Sequence, residues 1–390
     1  MTKSTIYILG NYRVGAADGL AEFNYQTVHL LKDEFEFQFV EFDDTKKDTF
    51  FENKMADSFQ VNVFGSKDVS FYGLPTAFLQ WIKQLKSLNT VFHLSHIYNL
   101  TNFKTARLLI KQSIPYLITP HDSFVYSAAY AKDKPVLKRW YRKMFVNIFD
   151  KYVLDNANVI HGISPQCLHS LQEITKTPVQ VVNNQVQDTN LPYNIADIKK
   201  QVCFIGRFDI YRKGIDIALQ AFSLFKKNTK NSEGYKFILI GPADEAAKEA
   251  VNKLCSELNL KINEDVVLPG KLPVSERDKL LSQSKMYMQL SRTEGFGLSI
   301  AQALSCFKPT IISKQIPIQD KIDLYNAGYV VNSAQEAANA ILQIENLSPA
   351  DYEKMSFNAR TCYEKEFHPN VLKPQLIHLY KKALNSSTKA

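Results

Sequence analysis

Two stretches of the sequence combine residue types that hold anions and hydroxyl groups. The first is FIGRFDIYRKG, Phe204 to Gly214. An apolar run ends at Gly206, Arg207 follows, and Lys213 and Gly214 stand just before a helical pattern. Two cations fixed at the carboxyl end of a strand can neutralise a diphosphate leaving group. The second is SRTEGFGLSIAQ, Ser291 to Gln302. Gly295, Phe296, Gly297 and Leu298 lie at the mouth of a helix, where unpaired amides and the positive end of the dipole face an approaching anion. Glu294 is no ligand for phosphate, but its carboxylate accepts hydrogen bonds from hydroxyls. Gln302, four residues after Leu298, shares its helical face. Taken singly, the stretches also read as a plain strand-to-helix turn with a solvated acid and as a solvated basic loop.

Holding such residues in place requires strands and helices, and short apolar runs alternate with longer helical patterns along the chain. Strands are expected at STIYILG, FQFVEF, TVFHLSH, PYLITPHD, NVIHGIS and PVQVVNN, with helices over Gly19–Leu31, Pro75–Ser87 and Leu100–Gln112 between them. Near-continuous apolar strands joined by helices indicate a parallel sheet covered on both faces. The pattern then restarts with QVCFIGR, YKFILIG, DVVLPG, MYMQLS and PTIIS, separated by helices over Asp216–Lys227, Ala243–Leu258, Ser275–Ser284 and Leu298–Cys306. The polar segment DTNLPYNIADIKK, Asp188 to Lys200, separates the two sets. The expectation is an α/β chain of two Rossmann-like, doubly wound parallel-sheet domains facing across a cleft. Residues 1–187 form the first and 188–365 the second, and a helical segment over 366–390 returns to the first. Ligands of such sheets sit at the carboxyl ends of the strands.

Bulk properties agree with this division. A chain of 390 residues, 45% hydrophobic and 12% aromatic, is long enough for two cores. The net charge of +8 is mild and does not mark an obligate nucleic-acid binder. Cys167, Cys203, Cys255, Cys306 and Cys362 form no CxxC pair, which points away from a zinc site or a disulfide framework. The N-terminus lacks the pattern of a signal peptide, and no run approaches the roughly 20 apolar residues of a membrane span, so a reducing cytoplasm is expected.

Together, GRFDIYRKG and EGFGLSIAQ resemble the donor-site pattern of the retaining family 4 glycosyltransferases, which have the GT-B fold. The resemblance extends over the chain: the loop GNYRVGAADGLAEF, the His121–Asp122 pair after a strand, the IGPAD loop and the VVLPGKL loop all take part. It implies a transferase that moves a sugar from a UDP- or GDP-sugar to a hydroxyl of a glycan or lipid-linked saccharide, in bacterial-type polysaccharide or glycoconjugate synthesis. It implies that Arg207 and Lys213 hold the diphosphate beside Gly206. Glu294 contacts sugar hydroxyls next to the Gly295–Leu298 amides, Pro269, Gly270, Lys271 and Leu272 border the base, Gly15 and Gly19 let the first loop approach the phosphates, and His121 lies near the transferred sugar. The departing phosphate helps to deprotonate the acceptor in a front-face displacement, so no protein nucleophile is needed.

The sequence departs from the family pattern at three places. Gln302 stands where the pattern has a Glu that holds the ribose hydroxyls, SKQIPIQDK follows the PTIIS strand where relatives carry small residues and glycine, and Gly19 is single where many relatives have a pair. The first keeps an acceptor oxygen and loses a charge, which costs about 1 kcal/mol of nucleotide binding. These departures leave a second reading open, a catalytically weakened glycosyltransferase-like binding or scaffold subunit. The chain contains no Asp-x-Asp of the kind that holds a divalent ion on a diphosphate, so no cofactor and no metal are expected. His93 and His96 in TVFHLSHIYN would pair for a metal on a helix but point to opposite faces of a strand, which is the element expected there.

The last feature is KDKPVLKRWYRKMFVNIFDK, residues 132–151, with seven basic residues against two acids. Lys138, Arg139, Arg142 and Lys143 make a basic stripe on a helix whose apolar face holds Leu137, Trp140, Tyr141, Met144, Phe145 and Ile148. This pattern fits an interfacial helix on anionic lipid at the inner face of a membrane, and equally a core-packed helix with a solvated basic face.

Overall fold

A computed structural model describes residues 3–10, 19–56, 58–70, 73–85, 89–121 and 135–385. The chain divides into two compact units, one of residues 1–185 with 372–390 and one of residues 186–371.

The first unit is built on an eight-stranded sheet of order β3-β4-β2-β1-β5-β6-β7-β8. Its strands are β1 (Thr5–Leu9), β2 (Glu36–Asp43), β3 (Phe51–Ala56), β4 (Phe59–Gly65), β5 (Thr90–Ser95), β6 (Tyr116–Thr119), β7 (Val159–Gly162) and β8 (Val179–Val181). Among the described residues only the β3–β4 pair is antiparallel. The central strands TVFHLS and YLIT are buried along their whole length, as expected of a parallel sheet covered on both faces. Around them lie α1 (Gly19–Leu31), α2 (Thr76–Gln84), α3 (Leu100–Lys111), α4 (Val136–Phe145), a π-helical turn (Val146–Asp150), α5 (Lys151–Asn156) and α6 (Pro165–Gln172). Asn99 caps α3 by accepting from the Thr101 and Asn102 amides.

The second unit holds a six-stranded, all-parallel sheet of order β11-β10-β9-β12-β13-β14. Its strands are β9 (Lys199–Ile205), β10 (Lys236–Ile240), β11 (Val266–Gly270), β12 (Ser284–Gln289), β13 (Thr310–Ser313) and β14 (Gly328–Val331). The helices are α7 (Ile215–Asn228), α8 (Glu245–Glu257), α9 (Val274–Ser282), α10 (Leu298–Ser305), α11 (Gln319–Tyr325), α12 (Ala334–Glu345), α13 (Pro349–Glu366) and α14 (Pro369–Asn385). Counted within the unit, the strand order is 3-2-1-4-5-6, the doubly wound order whose direction of winding reverses between its first and fourth strands. Here those strands are β9 and β12, and ligands of such sheets bind beyond their carboxyl ends.

Most of α14 belongs to the first unit. Leu372, Leu376, Leu379, Tyr380 and Ala383 are buried in one core with Ile6, Ile8, Phe37, Val91 and Leu117. Among the described residues no helix is long and apolar enough to cross a membrane, and the five cysteines are buried free thiols.

Candidate functional site

The reversal of winding between β9 and β12 brings the two singled-out stretches together. Gly206 follows β9 directly, and its amide donates to the Ile240 carbonyl at 2.9 Å. Arg207 comes next, exposed, with no side-chain partner among the described residues. The loop then turns back through Lys213 N–H to Asp209 O (2.8 Å) and enters α7 at Gly214. Gly214 has φ +64, and a Cβ there would lie 1.8 Å from the Leu290 carbonyl oxygen. Only glycine lets the start of α7 come this close to the chain leaving β12.

That closeness sets the central contact of the site. Lys213 Nζ lies 2.7 Å from Glu294 Oε2, with side-chain exposures of 17% and 11%. The same oxygen accepts from Gln289 Nε2 at 2.8 Å and from the Ser291 hydroxyl at 3.3 Å. Gln289 is itself held: its Oε1 accepts from the Tyr287 hydroxyl (2.6 Å) and the Ser299 hydroxyl (2.9 Å), while Nε2 also donates to Ser291 Oγ (2.9 Å). With two hydroxyls on one end and a carboxylate on the other, the amide has a single satisfactory orientation. Tyr287, Gln289 and Ser291 lie at i, i+2 and i+4, so one face of β12 and its continuation carries a buried polar ladder. The opposite face carries Met286, Met288 and Leu290 into the apolar core.

A second clamp joins the loops. Arg292 makes a two-pronged bond to Asp216, Nη1 to Oδ1 at 2.8 Å and Nη2 to Oδ2 at 2.7 Å. Its Nη1 also donates to the Tyr211 carbonyl at 2.7 Å, and its guanidinium lies 4.2 Å from the centre of the Tyr211 ring. The Arg292 amide donates to the Arg212 carbonyl at 2.9 Å. Sequence reasoning missed Tyr287, Gln289, Ser291, Arg292, Asp216 and Ser299. The alternation Tyr-x-Gln-x-Ser in a buried strand was the available signal for the ladder.

Beyond Glu294, the amides of Gly295, Phe296, Gly297 and Leu298 have no acceptor among the described residues. Gly297 caps α10 at φ +107, a left-handed conformation that glycine adopts freely. The Phe296 ring is buried and meets Phe367 edge-on at 5.6 Å, which leaves only its backbone to face a ligand. Gln302 is half-buried on α10, and its Nε2 reaches Ser305 Oγ at 3.4 Å. Pro269 and Gly270 end β11, with the Gly270 carbonyl accepting from Gly241 N–H at 3.0 Å; Lys271 follows, exposed, and Leu272 is half-buried. Arg207, Lys213, Glu294 and the α10 entrance thus share one end of one sheet. Among the described residues no group of three or more His, Cys, Asp or Glu can hold a metal ion.

The first unit carries His121, two residues past β6, in a left-handed conformation at φ +54. His96 (φ +72) and Tyr98 (φ +60) have the same handedness past β5, a strain that gathers at functional sites. Burial, with His96, His93 and His161 nearby, holds the His121 imidazole neutral, and its buried Nε2 has no hydrogen-bond partner among the described residues. Its ring meets Phe23 at 4.8 Å. Gly19 opens α1, whereas Gly15 and Asp122 lie outside the described residues.

His93 stands in β5, fully buried, in a chain whose direction can be assigned. His161 Nε2 lies 2.9 Å from the Val182 carbonyl and must donate to it, so His161 Nδ1 accepts from the Thr119 hydroxyl at 3.0 Å. Thr119 Oγ1 then accepts from His93 Nε2 (2.7 Å), and His93 Nδ1 accepts from the Tyr380 hydroxyl (2.9 Å). Both imidazoles are neutral, lowered by burial to about 3 for His93 and about 4 for His161.

The stretch that carries Arg207, Lys213 and Glu294 is also the stretch that matches known proteins. Residues 189–361 match the family model described as glycosyl transferases group 1. Over that stretch the chain is similar to the glycosyl transferases of group 1. The chain is 26% identical over 204 residues, 50% of its length and 39% of the other's, to the poly(ribitol-phosphate) alpha-N-acetylglucosaminyltransferase of Staphylococcus aureus (strain COL). The matched stretches span about half the length of the curated relatives. Among solved structures, the sucrose-phosphate synthase of Thermosynechococcus elongatus superposes with a TM-score of 0.74 at 19% identity, over 97% of this chain and 99% of that one. HepE of Anabaena, solved in complex with UDP and glucose, superposes with a TM-score of 0.69 at 15% identity, over the same shares of the two chains. At these identities the likeness shows the fold, which is GT-B, and the group 1 match falls on the unit with the 3-2-1-4-5-6 sheet.

Proposed function

We propose that the chain is a retaining glycosyltransferase that takes a sugar from a nucleotide diphosphate sugar, UDP- or GDP-linked, and needs no metal ion. The observation that carries this reading is the meeting of Arg207, Lys213, Glu294 and the open amides of Gly295–Leu298 beyond β9 and β12. The group 1 match on the same residues and the UDP and glucose bound to HepE support it.

In the proposed step the bond between the anomeric carbon and the diphosphate oxygen breaks, and a bond to an acceptor hydroxyl oxygen forms on the same face of the sugar. The acceptor proton passes to the departing phosphate. Arg207, Lys213 and the amides take up the charge that grows on the leaving group, as fixed donors aimed at a developing anion do. Glu294 accepts from sugar hydroxyls, and Gln289 and Ser291 hold its carboxylate in place. The first unit, with His121, takes the acceptor. That acceptor is a glycan or lipid-linked saccharide of bacterial-type polysaccharide or glycoconjugate synthesis, met in the cytoplasm at the inner face of a membrane.

The test is a thermal-shift screen of the full chain against UDP, GDP, ADP, TDP and their sugar conjugates, with and without EDTA. One nucleotide that raises the melting temperature, and does so equally in EDTA, names the base and supports a metal-independent donor site. The absence of a shift with all of them overturns the donor site and favours a binding or scaffold subunit.

A further inference from the structure

Helix α4 presents its apolar side chains to solvent. Val136, Leu137, Trp140 and Tyr141 are 72%, 75%, 61% and 49% exposed. They fall at i, i+1, i+4 and i+5, so they form one continuous strip along adjacent turns. Ile148, in the π-helical turn, is exposed as well. The helix is anchored through other residues. Phe145 is buried and its ring meets Tyr98 at 4.6 Å and Phe149 at 4.7 Å, while Phe149 meets Phe103 at 4.9 Å. Arg142 is also turned inward: its guanidinium lies 4.9 Å from the centre of the Tyr98 ring, and its charge acts on buried Asp150. This corrects the expected basic stripe, from which Arg142 is withdrawn by that packing. Lys138, Arg139 and Lys143 remain exposed around the strip, and no acid occurs between Pro135 and Phe149.

A helix that packs on a core turns its apolar face inward and its charges outward. Here an apolar, aromatic strip faces out, bordered by cations on a helix without acids. A protein surface without net charge would cover the strip but would not call for the bordering cations. A bilayer does both: Trp and Tyr settle at the level of the headgroups, aliphatic side chains reach below them, and Lys and Arg meet lipid phosphates. We propose that α4 is a docking surface for a membrane that carries anionic phospholipid, with the helix lying in the plane of the interface. The proposal gives the lipid-linked acceptor reading a surface, but it is tested by lipid binding without turnover, so failure of the donor site leaves it standing.

The experiment is co-sedimentation of the full chain with vesicles of phosphatidylcholine alone and of phosphatidylcholine mixed with phosphatidylglycerol. Wild type is expected to pellet with the anionic vesicles, less so as salt is raised. The triple variant K138S/R139S/K143S is expected to lose about a hundredfold in partitioning, at about fivefold for each cation near the surface. L137S/W140S removes the apolar strip and is expected to abolish pelleting at high salt. All these side chains are exposed, and a thermal scan of each variant checks that it remains folded. The chain has two tryptophans, and Trp81 lies half-buried on α2, so a blue shift of emission on adding anionic vesicles reports Trp140. Equal pelleting of wild type and both variants overturns the proposal. So does a wild-type dimer that ignores vesicles and that L137S/W140S dissociates, which would assign the strip to a second copy of the chain.

Discussion

Both sheets reverse their winding at one point, yet the two units treat charge there in opposite ways. Beyond β9 and β12 the second unit gathers Arg207, Lys213, Glu294, Arg292 and Asp216, and ties four of them into close ion pairs. In the first unit, β5, β6 and β7 bring together His93, His121 and His161, and burial keeps all three imidazoles neutral. A site for a diphosphate needs fixed charge held by partners. In the proposed reading the first unit meets an uncharged hydroxyl, which gains nothing from charge; the ring nitrogens of His93 and His161 are already engaged, so of the three it is His121 that could accept from it.

The strongest way to break this contrast is Arg207→Ala. Arg207 is exposed and has no side-chain partner among the described residues, so the variant is expected to melt with the wild type while turnover falls by about 10²–10³, measured as initial rates beside a thermal scan. Lys213→Ala is expected to lose turnover on the same scale and also about 3 kcal/mol of stability in urea titration, because Glu294 stays buried without its cation. Adding Glu294→Gln to Lys213→Ala is expected to restore most of the stability and none of the turnover. If both single variants keep wild-type rates, the charged region is not the donor site.

The neutral region is sharpened by pH. His93 and His161 bind protons less readily in the folded protein than in the unfolded chain, where His titrates near about 6.5. Their contribution to stability is therefore full above about 6.5 and is lost as pH falls toward about 4 and then about 3. Asp150 works the other way: burial raises its carboxyl to about 7, so its contribution is full at acid pH and fades as pH rises through 7. Melting temperatures of His93→Gln across pH 4–7 are expected to fall less steeply than those of the wild type, and those of Asp150→Asn more steeply. The smallest expected effect is Gln302→Glu, which restores the charged acceptor of the resembled pattern and, on the proposed reading, is expected to tighten the bound nucleotide about fivefold by calorimetry, some 1 kcal/mol.

Much of this was legible in the sequence, and what was missed has a physical pattern. Strands with continuous apolar runs, such as TVFHLS and KFILI, announced themselves. The hairpin of β3 and β4 did not: FENKMA is an exposed edge strand with charges along it, and FQVNVFG carries Asn62, whose amide is buried and satisfied by Gln38 and the Phe39 carbonyl only in the folded sheet. GYVV, which opens on glycine at the edge of its sheet, was not recognised as β14. Arg207, Lys213 and Glu294 stood out because their spacing is a recognisable pattern. That Lys213 and Glu294 bond each other was not legible, because the contact depends on Gly214 fitting under the Leu290 carbonyl. Likewise the composition of α4 showed an amphipathic helix but not which face turns inward, which Tyr98 and Phe103 decide from distant parts of the chain.

The chain of hydrogen bonds from Tyr380 to Val182 has a consequence for how the first unit is closed. Its first donor lies in α14, near the end of the chain, and Leu372, Leu376 and Leu379 fill the core beside it. The first unit is closed by a helix that follows the whole of the second unit in the chain. The second unit therefore has all of its segments in one continuous stretch, whereas the first must join residues on both sides of it. A chain ending at Val371 is expected to keep the fold of the second unit and to leave the first open, with His93 lacking its donor and an apolar groove where α14 belongs.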